Sequence, residues 1–391
     1  MKKADVIIIG GGAAGFFTAI NAAEKNPQLK IIILERGKDV LTKVKVSGGG
    51  RCNVTHAEFI PKDLSLNYPR GEKELLGPFH TFMTGDTIEW FEKRGVQLKI
   101  EEDGRMFPVT DSSQTIINCF LSETKSLGVE VLLNQSVKTI QKEADTFTIN
   151  TATDSFSAEK IVVATGSNPK IWQLMAGLGH TIVPAVPSLF TFNIKDGRII
   201  DLPGLSTDAT AKILDEKGKT ILESNGPLLI THWGMSGPAI LKLSAWGARI
   251  LEPLKYHFKI QVNWLSNLFE EDVLDAFKDL KAIQGKQTIY KYAQFELPET
   301  LTWAEATREN FLNIGNQLTA AIFEVEGKST FKEEFVTAGG IDLKEINFKT
   351  FESRICNNLF FAGEVLNIDA ITGGFNFQSA WTGGYIVSQN L

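Results

Sequence analysis

The chain opens on an apolar, β-branched run, Ala4 to Ile9, of the kind found in a strand buried on both faces. Glycines then turn the chain, and from Ala13 to Lys25 the period becomes helical. Ala14, Ala19, Ala22 and Ala23 are small enough for close packing, and Asn26-Pro27 is the stop. Lys30 to Leu34 reads as a second buried strand ending on Glu35, which completes a right-handed βαβ crossover. Asp111 to Leu127 has amphipathic helical spacing with Asp111, Ser112 or Ser113 as cap, and Val129 to Leu133 follows as a strand. The short runs Val137 to Ile140, Phe147 to Thr151 and Ser155 to Phe156 predict a meander that feeds a buried strand, Ile161 to Ala164.

Pro184, Pro187 and Pro203 mark a change of character. From Ser188 to about Gln261 the segments are short and strand-like, whereas Ser266 to Phe323 has helical periodicity, in Leu268, Val273, Leu274, Phe277 and Leu280 and again from Phe311 to Phe323. After Phe331 come glycine-rich turns, one more buried strand (Leu359 to Ala362) and a helix from about Gly374. At 391 residues the chain exceeds one ordinary core, and 43% hydrophobic with 22% charged residues suits a globular α/β protein of several domains.

The net charge of -6 gives no global attraction for a phosphate backbone, so nucleic acid is disfavoured as a partner. Cys52, Cys119 and Cys356 are far apart and odd in number, which fits neither a disulfide framework nor a metal site and points to a reducing cytoplasm. Lys2-Lys3 before the uncharged run Val6 to Ala23 superficially resembles a signal peptide. Asp5 interrupts its start, however, and the glycines of 10–15 are too flexible for an apolar helical region. No stretch approaches the roughly 20 apolar residues of a membrane span.

The turn Gly10-Gly11-Gly12-Ala13-Ala14-Gly15 follows a strand, opens a helix and is followed twenty residues later by an acid, Glu35, at the end of the next strand. In a dinucleotide site Gly10 makes the tight turn, Gly12 lets the backbone approach the pyrophosphate, and Gly15 lets helix and strand pack closely. The helix N-terminus supplies N–H donors and a favourable dipole, and Glu35 accepts from the adenosine ribose. Glycine spacing alone does not separate FAD from NAD. Two further strand-to-glycine units, Ile161-Val162-Val163-Ala164-Thr165-Gly166 and Leu359-Phe360-Phe361-Ala362-Gly363-Glu364, resemble the ATG and GD motifs of two-dinucleotide-binding-domain flavoproteins, with Glu364 where Asp is commoner.

Four blocks together resemble the bacterial NAD(P)/FAD-dependent oxidoreductases of the BaiN type (aminoacetone-oxidase-like): Ile8 to Gly15, Lys45 to Thr55, Thr231 to Pro238, and Ala362-Gly363-Glu364 through Gly373-Gly374-Phe375-Asn376-Phe377-Gln378. The resemblance implies a Rossmann-like FAD-binding domain, discontinuous over 1–187 and 333–391. It also implies an inserted β-barrel-like domain (188–264 and 324–332), itself interrupted by a helical one (265–323). His56, Asn367 and Ala370 depart from the family's pattern at the flavin edge.

The expected cofactor-binding set is Gly10, Gly12, Ala13, Ala14, Gly15, Glu35, Arg36, Lys45, Ser47, Gly48, Gly49, Arg51, Cys52, Asn53, Val137, Ala164, Thr165, Gly166, Gly363, Glu364, Gly373, Gly374, Phe375 and Asn376. Ser47 to Asn53 is too glycine-rich for core packing and should be a loop with N–H groups facing an acceptor. Arg51 could pair with a phosphate or a substrate carboxylate, and the helix start at Gly373-Gly374 could point its N–H groups at the flavin N1–C2=O region. Cys52 lacks a second thiol and is a weak catalytic candidate. His232, on a turn of the β-rich segment, is another.

The expected activity is flavin reduction by a transient NAD(P)H, there being no second GxGxxG, and hydride delivery from N5 to a small organic acceptor. An amine oxidase, an FAD-dependent tRNA-modifying enzyme and a non-catalytic flavin binder are the alternatives. The expected assembly is a monomer or homodimer without a membrane partner.

Overall fold

The computed structural model describes residues 1–266, 268–288, 302–329 and 336–391. The parts of the expected domains that fall on 267, 289–301 and 330–335 lie outside the described residues. The chain divides into two compact units, Met1–Val186 with Lys332–Leu391, and Pro187–Phe331.

The first unit is built on a seven-stranded sheet of β1 (Val6–Ile9), β2 (Ile31–Leu34), β3 (Glu130–Leu132), β4 (Lys160–Val163), β5 (Ile346–Asn347), β6 (Glu352–Ser353) and β7 (Leu359–Phe361), in the order β5-β6-β7-β4-β1-β2-β3. The run from β7 to β3 is parallel, and β5 and β6 add an antiparallel edge. All four residues of β1 and of β2 are buried, as their uninterrupted Val/Ile composition requires of a sheet covered on both faces. Helix α1 (Ala13–Lys25) ends at Asn26, whose N–H donates to Ala22 O. A side chain built at Gly384 in the C-terminal helix, Phe375–Ser388, would lie 3.1 Å from Ala14 O, so these two helices meet at the backbone.

The meander forms a separate four-stranded sheet in the order Lys2–Lys3, Ser155–Ala158, Thr146–Asn150, Thr139–Glu143. The amphipathic helix runs over Ser113–Ser126, and of the three expected caps it is Ser112 whose side chain accepts from Gln114 N. Helices Thr42–Gly50, Pro61–Ser65, Glu72–Phe79, Thr84–Glu92 and Pro169–Gly177 were not expected from the sequence.

In the second unit a seven-stranded sheet runs in the order Ala321–Glu326, His257–Asn263, Ser206–Leu214, Thr220–Thr231, Gly234–Ser236, Thr191–Asn193, Lys328–Ser329. Its first and last members are consecutive in the chain, separated only by Gly327 at φ +151. One interrupted strand thus serves both ends and curls the sheet into a barrel, which removes the exposed edges. Phe192, Ile213, Ile260 and Phe323 fill its interior.

Two expectations are corrected here. Helix Pro238–Leu251 interrupts the segment read as wholly strand-like, and its Ile240, Leu243 and Leu251 pack into the barrel core. The helical run read through Phe323 stops at Thr319, and Phe323 belongs to a strand. Helices Glu270–Gln284 and Arg308–Thr319 have an apolar cluster of their own, with Phe277, Trp303, Phe311 and Ile314. No helix among the described residues is long and apolar enough to cross a membrane.

Candidate cofactor site

The glycine-rich segments gather at the C-terminal ends of β1, β4 and β7, where ligands bind in open parallel sheets. Gly10 has φ +115, and a Cβ there would lie 2.4 Å from Ala164 O; a Cβ on Gly15 would lie 2.0 Å from Gly10 O. Both positions therefore exclude any side chain. Gly12 differs, since nothing lies within 4 Å of a Cβ built on it. Gly12 is the N-cap of α1, no side chain caps that helix, and its first turn carries no acid, so its N–H groups and positive end face open space.

Glu35 closes the loop from the other side. Its Oε2 accepts from Gly11 N (2.9 Å) and its Oε1 from Gly37 N (2.7 Å), which fixes the carboxylate and leaves lone pairs for ribose hydroxyls. Gln135 N donates to Glu35 O, which brings buried Val137 to the same edge, whereas Arg36 is exposed.

Helix α2 (Thr42–Gly50) loses helical geometry at Ser47 (ψ 148), and Gly48, Gly49 and Gly50 follow at φ +57, +67 and +85. The expected loop is therefore a left-handed turn at a helix end. Lys45 upstream is exposed, and its carbonyl accepts from Ser113 Oγ. Cys52 is fully buried at φ +64, and burial pushes its thiol up to about 12. That leaves Cys52 no thiolate at neutral pH and removes it as a catalytic candidate. Arg51 is corrected too: its guanidinium lies 3.9 Å over Phe107 and pairs with Glu101 (2.6 Å) and Asp111 (3.4 Å) instead of standing free for an anion.

The start of α3 (Phe375–Ser388) is stitched to residues 53–56, and Gly374 at φ +96 is its N-cap. Asn53, with its amide turned to satisfy both ends, accepts from Gly374 N (3.0 Å) and donates to Thr55 O (3.0 Å). His56 stacks on Phe375 at 4.5 Å and reaches Gly373 O through Nδ1 (3.0 Å), which accounts for an aromatic residue at that departure from the family pattern. Tyr68 Oη donates to Phe375 O (2.6 Å). The Asn376 amide is engaged on both sides by the Ala370 backbone, and the Phe375 ring is buried, so these side chains shape the loop instead of facing a ligand.

Three features escaped the sequence reading. Arg70 and fully buried Asp369 form an ion pair, with Nε donating to Oδ1 at 2.5 Å, that ties the loop before α3 to the segment after Pro61–Ser65. Lys43 pairs with Glu364. Asn367 Oδ1 is buried with no hydrogen-bond partner. Local spacing carries no signal for the two ion pairs, because their partners are remote in sequence, nor for the burial of Asn367, which the fold imposes. His232 lies on an exposed turn of the second unit, between Thr220–Thr231 and Gly234–Ser236.

An uncapped helix start, an open face at Gly12, an orphaned buried acceptor and glycines packed where a Cβ cannot go suit a long anionic dinucleotide. Residues 4–390 match the HI0933-like protein Rossmann domain. The chain belongs to this family. It is an FAD-dependent oxidoreductase on a Rossmann-type fold. It is 27% identical over 409 residues to the ribosomal RNA dihydrouridine synthase of Escherichia coli (strain K12), covering 100% of this chain and 98% of that one. It is 26% identical over 405 residues to the 3-dehydro-bile acid delta(4,6)-reductase of Clostridium scindens, covering 98% and 97%. Among solved structures, the 3-ketosteroid delta1-dehydrogenase from Sterolibacterium denitrificans superposes with a TM-score of 0.52 at 10% identity, over 100% of this chain and 99% of that one, a likeness of fold alone.

Proposed function

We propose that this oxidoreductase takes hydride from NAD(P)H and saturates a carbon–carbon double bond conjugated to a carbonyl, in a small organic acceptor. The observation that carries this reading is the chemistry shared by two full-length relatives with different substrates. Dihydrouridine is uridine with its enone-like ring bond reduced, and a delta(4,6)-reductase of a 3-dehydro bile acid acts on double bonds in line with the 3-oxo group. Bound FAD supplies hydride acceptance and donation at N5.

The chain's own part is binding and electrostatics. The first turn of α1 with Gly12, Ala13 and Ala14 would hold the diphosphate, Glu35 and the Val137 edge would hold the adenosine, and Gly166, Gly363 and Glu364 would hold the ribityl chain. The turn Ser47 to Asn53 and the start of α3 would border the isoalloxazine, and the uncapped N-terminus of α3 would favour negative charge on it. Asn367 Oδ1 is an acceptor that needs a donor. The second unit's sheet is antiparallel throughout its described pairs and offers no second dinucleotide crossover, which supports a transient nicotinamide.

A second reading puts the same reduction on a uracil of ribosomal RNA, favoured by the end-to-end match to the Escherichia coli enzyme and disfavoured by the net charge of -6. Anaerobic stopped-flow mixing with NADH or NADPH should bleach the flavin within seconds, and a conjugated enone should restore its colour. No bleaching by either nicotinamide overturns the donor assignment. Reoxidation by rRNA with appearance of dihydrouridine, and not by small enones, selects the second reading.

A further inference from the structure

Lys43 stands 58% exposed on α2, yet its ammonium is held by Glu364, a carboxylate only 16% exposed. Three backbone relations fix where that pair lies. Leu41, the N-cap of α2, donates its N–H to Gly11 O at 2.8 Å, which ties the helix carrying Lys43 to the glycine loop. A Cβ built on Gly363 would lie 3.3 Å from Ala14 Cβ, which sets the residue before Glu364 against the first turn of α1. A Cβ on Gly166 would lie 3.7 Å from Glu364 Oε2. The ion pair therefore spans the mouth of the site, between the uncapped start of α1 and the turns that follow β4 and β7.

A carboxylate here carries an electrostatic cost. The site is suited to a diphosphate, and Glu364 adds a negative charge to the same small region with little solvent to screen it. A long, flexible ammonium that already holds Glu364, on a helix whose N-cap is bonded to the glycine loop, is the simplest remedy. We infer that Lys43 is an exchangeable counter-ion of the FAD site: it neutralises Glu364 while the site is open and transfers to the cofactor's diphosphate on binding, releasing the Glu364 carboxylate to accept from ribityl hydroxyls. After the exchange Glu364 is satisfied by hydrogen bonds from ribityl hydroxyls instead of by a counter-charge, while the Lys43 ammonium offsets part of the negative charge that the diphosphate brings. The exchange also gives the exposed Lys43 a role distinct from that of the α1 dipole, which acts through backbone N–H groups alone.

This inference rests on the FAD assignment and is tested on the flavin-depleted full chain, titrated separately with FAD and with ADP at low and high ionic strength, following tryptophan and flavin fluorescence. Lys43→Met should weaken FAD and ADP binding about tenfold at low salt and flatten the salt dependence, with the flavin-free chain still folded by its melting curve. Lys43→Arg should retain most of the affinity. The decisive arm is the Glu364→Gln background, in which Lys43→Met should still weaken ADP binding. If Lys43→Met alters neither ligand's affinity, or its effect vanishes once Glu364 is neutral, Lys43 is a static partner of Glu364 and the inference fails. If the wild-type chain binds neither FAD nor ADP, the cofactor assignment itself falls.

Discussion

At the scale of single residues, the glycines of the first turn divide by what surrounds them. Gly10 and Gly15 are excluded from carrying a side chain by carbonyl oxygens at 2.4 and 2.0 Å from the built Cβ, whereas Gly12 has extended backbone (φ -98) and open space. A methyl group at position 15 must push α1 away from β1 in a packed interior, which costs several kcal/mol by analogy with overpacked cores, roughly 2–4. Gly15→Ala should therefore lower the melting temperature of the flavin-free protein and abolish flavin retention together. Gly12→Ala should lower the melting temperature far less, by the roughly 0.5–1 kcal/mol that separates Gly from Ala at an N-cap, and weaken FAD binding by intruding on the ligand. Parallel melting curves and flavin titrations check the pair; equal loss of stability in both would refute the division of roles. The role of Gly15 was legible in the sequence because its obstructing carbonyl, Gly10 O, belongs to the same turn, whereas the Ala164 O that closes Gly10 is brought in by the neighbouring strand. The fates of Arg51 and Cys52 were not legible, since they depend on Glu101 and on burial brought about by the fold, and that of Asn376 depends on a local turn back to Ala370 that no residue pattern announces.

At the scale of elements, the edge of the central sheet is closed by a buried relay. His180 follows helix Pro169–Gly177, its Nδ1 lies 3.0 Å from Glu345 Oε2 and its Nε2 lies 3.1 Å from Ser353 Oγ. Ser353 Oγ already accepts from Ile355 N and Cys356 N, so its proton points to Nε2 and the imidazole is neutral with Nδ1–H on Glu345. The geometry resembles a hydrolase triad, but the hydroxyl is buried and committed to two backbone donors, so the cluster is structural. Burial lowers the His180 pKa from 6.5 despite the Glu345 carboxylate. Because the unfolded chain takes up a proton below 6.5 and the folded chain resists it, the stability contributed is full above that pH and declines as pH falls towards the folded pKa. Glu345 is also lowered; burial opposes that shift, but hydrogen bonds from Thr181 and His180 outweigh it, so its contribution is lost at still lower pH. His180→Asn should cost about 2 kcal/mol at neutral pH and flatten the decline in urea midpoint just below pH 6.5. An unchanged pH profile in the variant would show that His180 does not titrate on unfolding.

The same scale explains which elements the sequence revealed. The βαβ unit and the meander were plain from their apolar periods and turn residues. Helix Pro238–Leu251 was missed although Gly237 at φ +88 and Pro238 at the first helical position announce a helix start. The strand-like texture on both sides overrode that local signal.

For the molecule as a whole, the question is whether flavin binding and substrate choice are separable in the chain. Every strand of the central sheet comes from residues 6–163 or 346–361, and every residue assigned to the cofactor lies in the first compact unit. The chain leaves that unit along Ile182–Ser188 and returns along Val336–Ile341, and these two strands pair with each other. A Cβ on Gly339 would lie only 2.7 Å from Ala185 Cα, so exit and re-entry are adjacent and a short glycine-serine linker can replace the inserted barrel and helices. The excised protein should fold and retain FAD, because every residue proposed to hold the cofactor lies in the first unit, and on the proposed donor assignment NAD(P)H should bleach it. Its turnover of an enone, compared with that of the full chain, tests the proposal that substrate choice resides in the inserted residues, for which a lower rate is the expected result. Flavin content, anaerobic bleaching and enone turnover measured on one preparation decide the matter. A folded, flavin-free excision product would place part of the cofactor's grip in the inserted unit, and full turnover would place substrate recognition on the Rossmann scaffold itself.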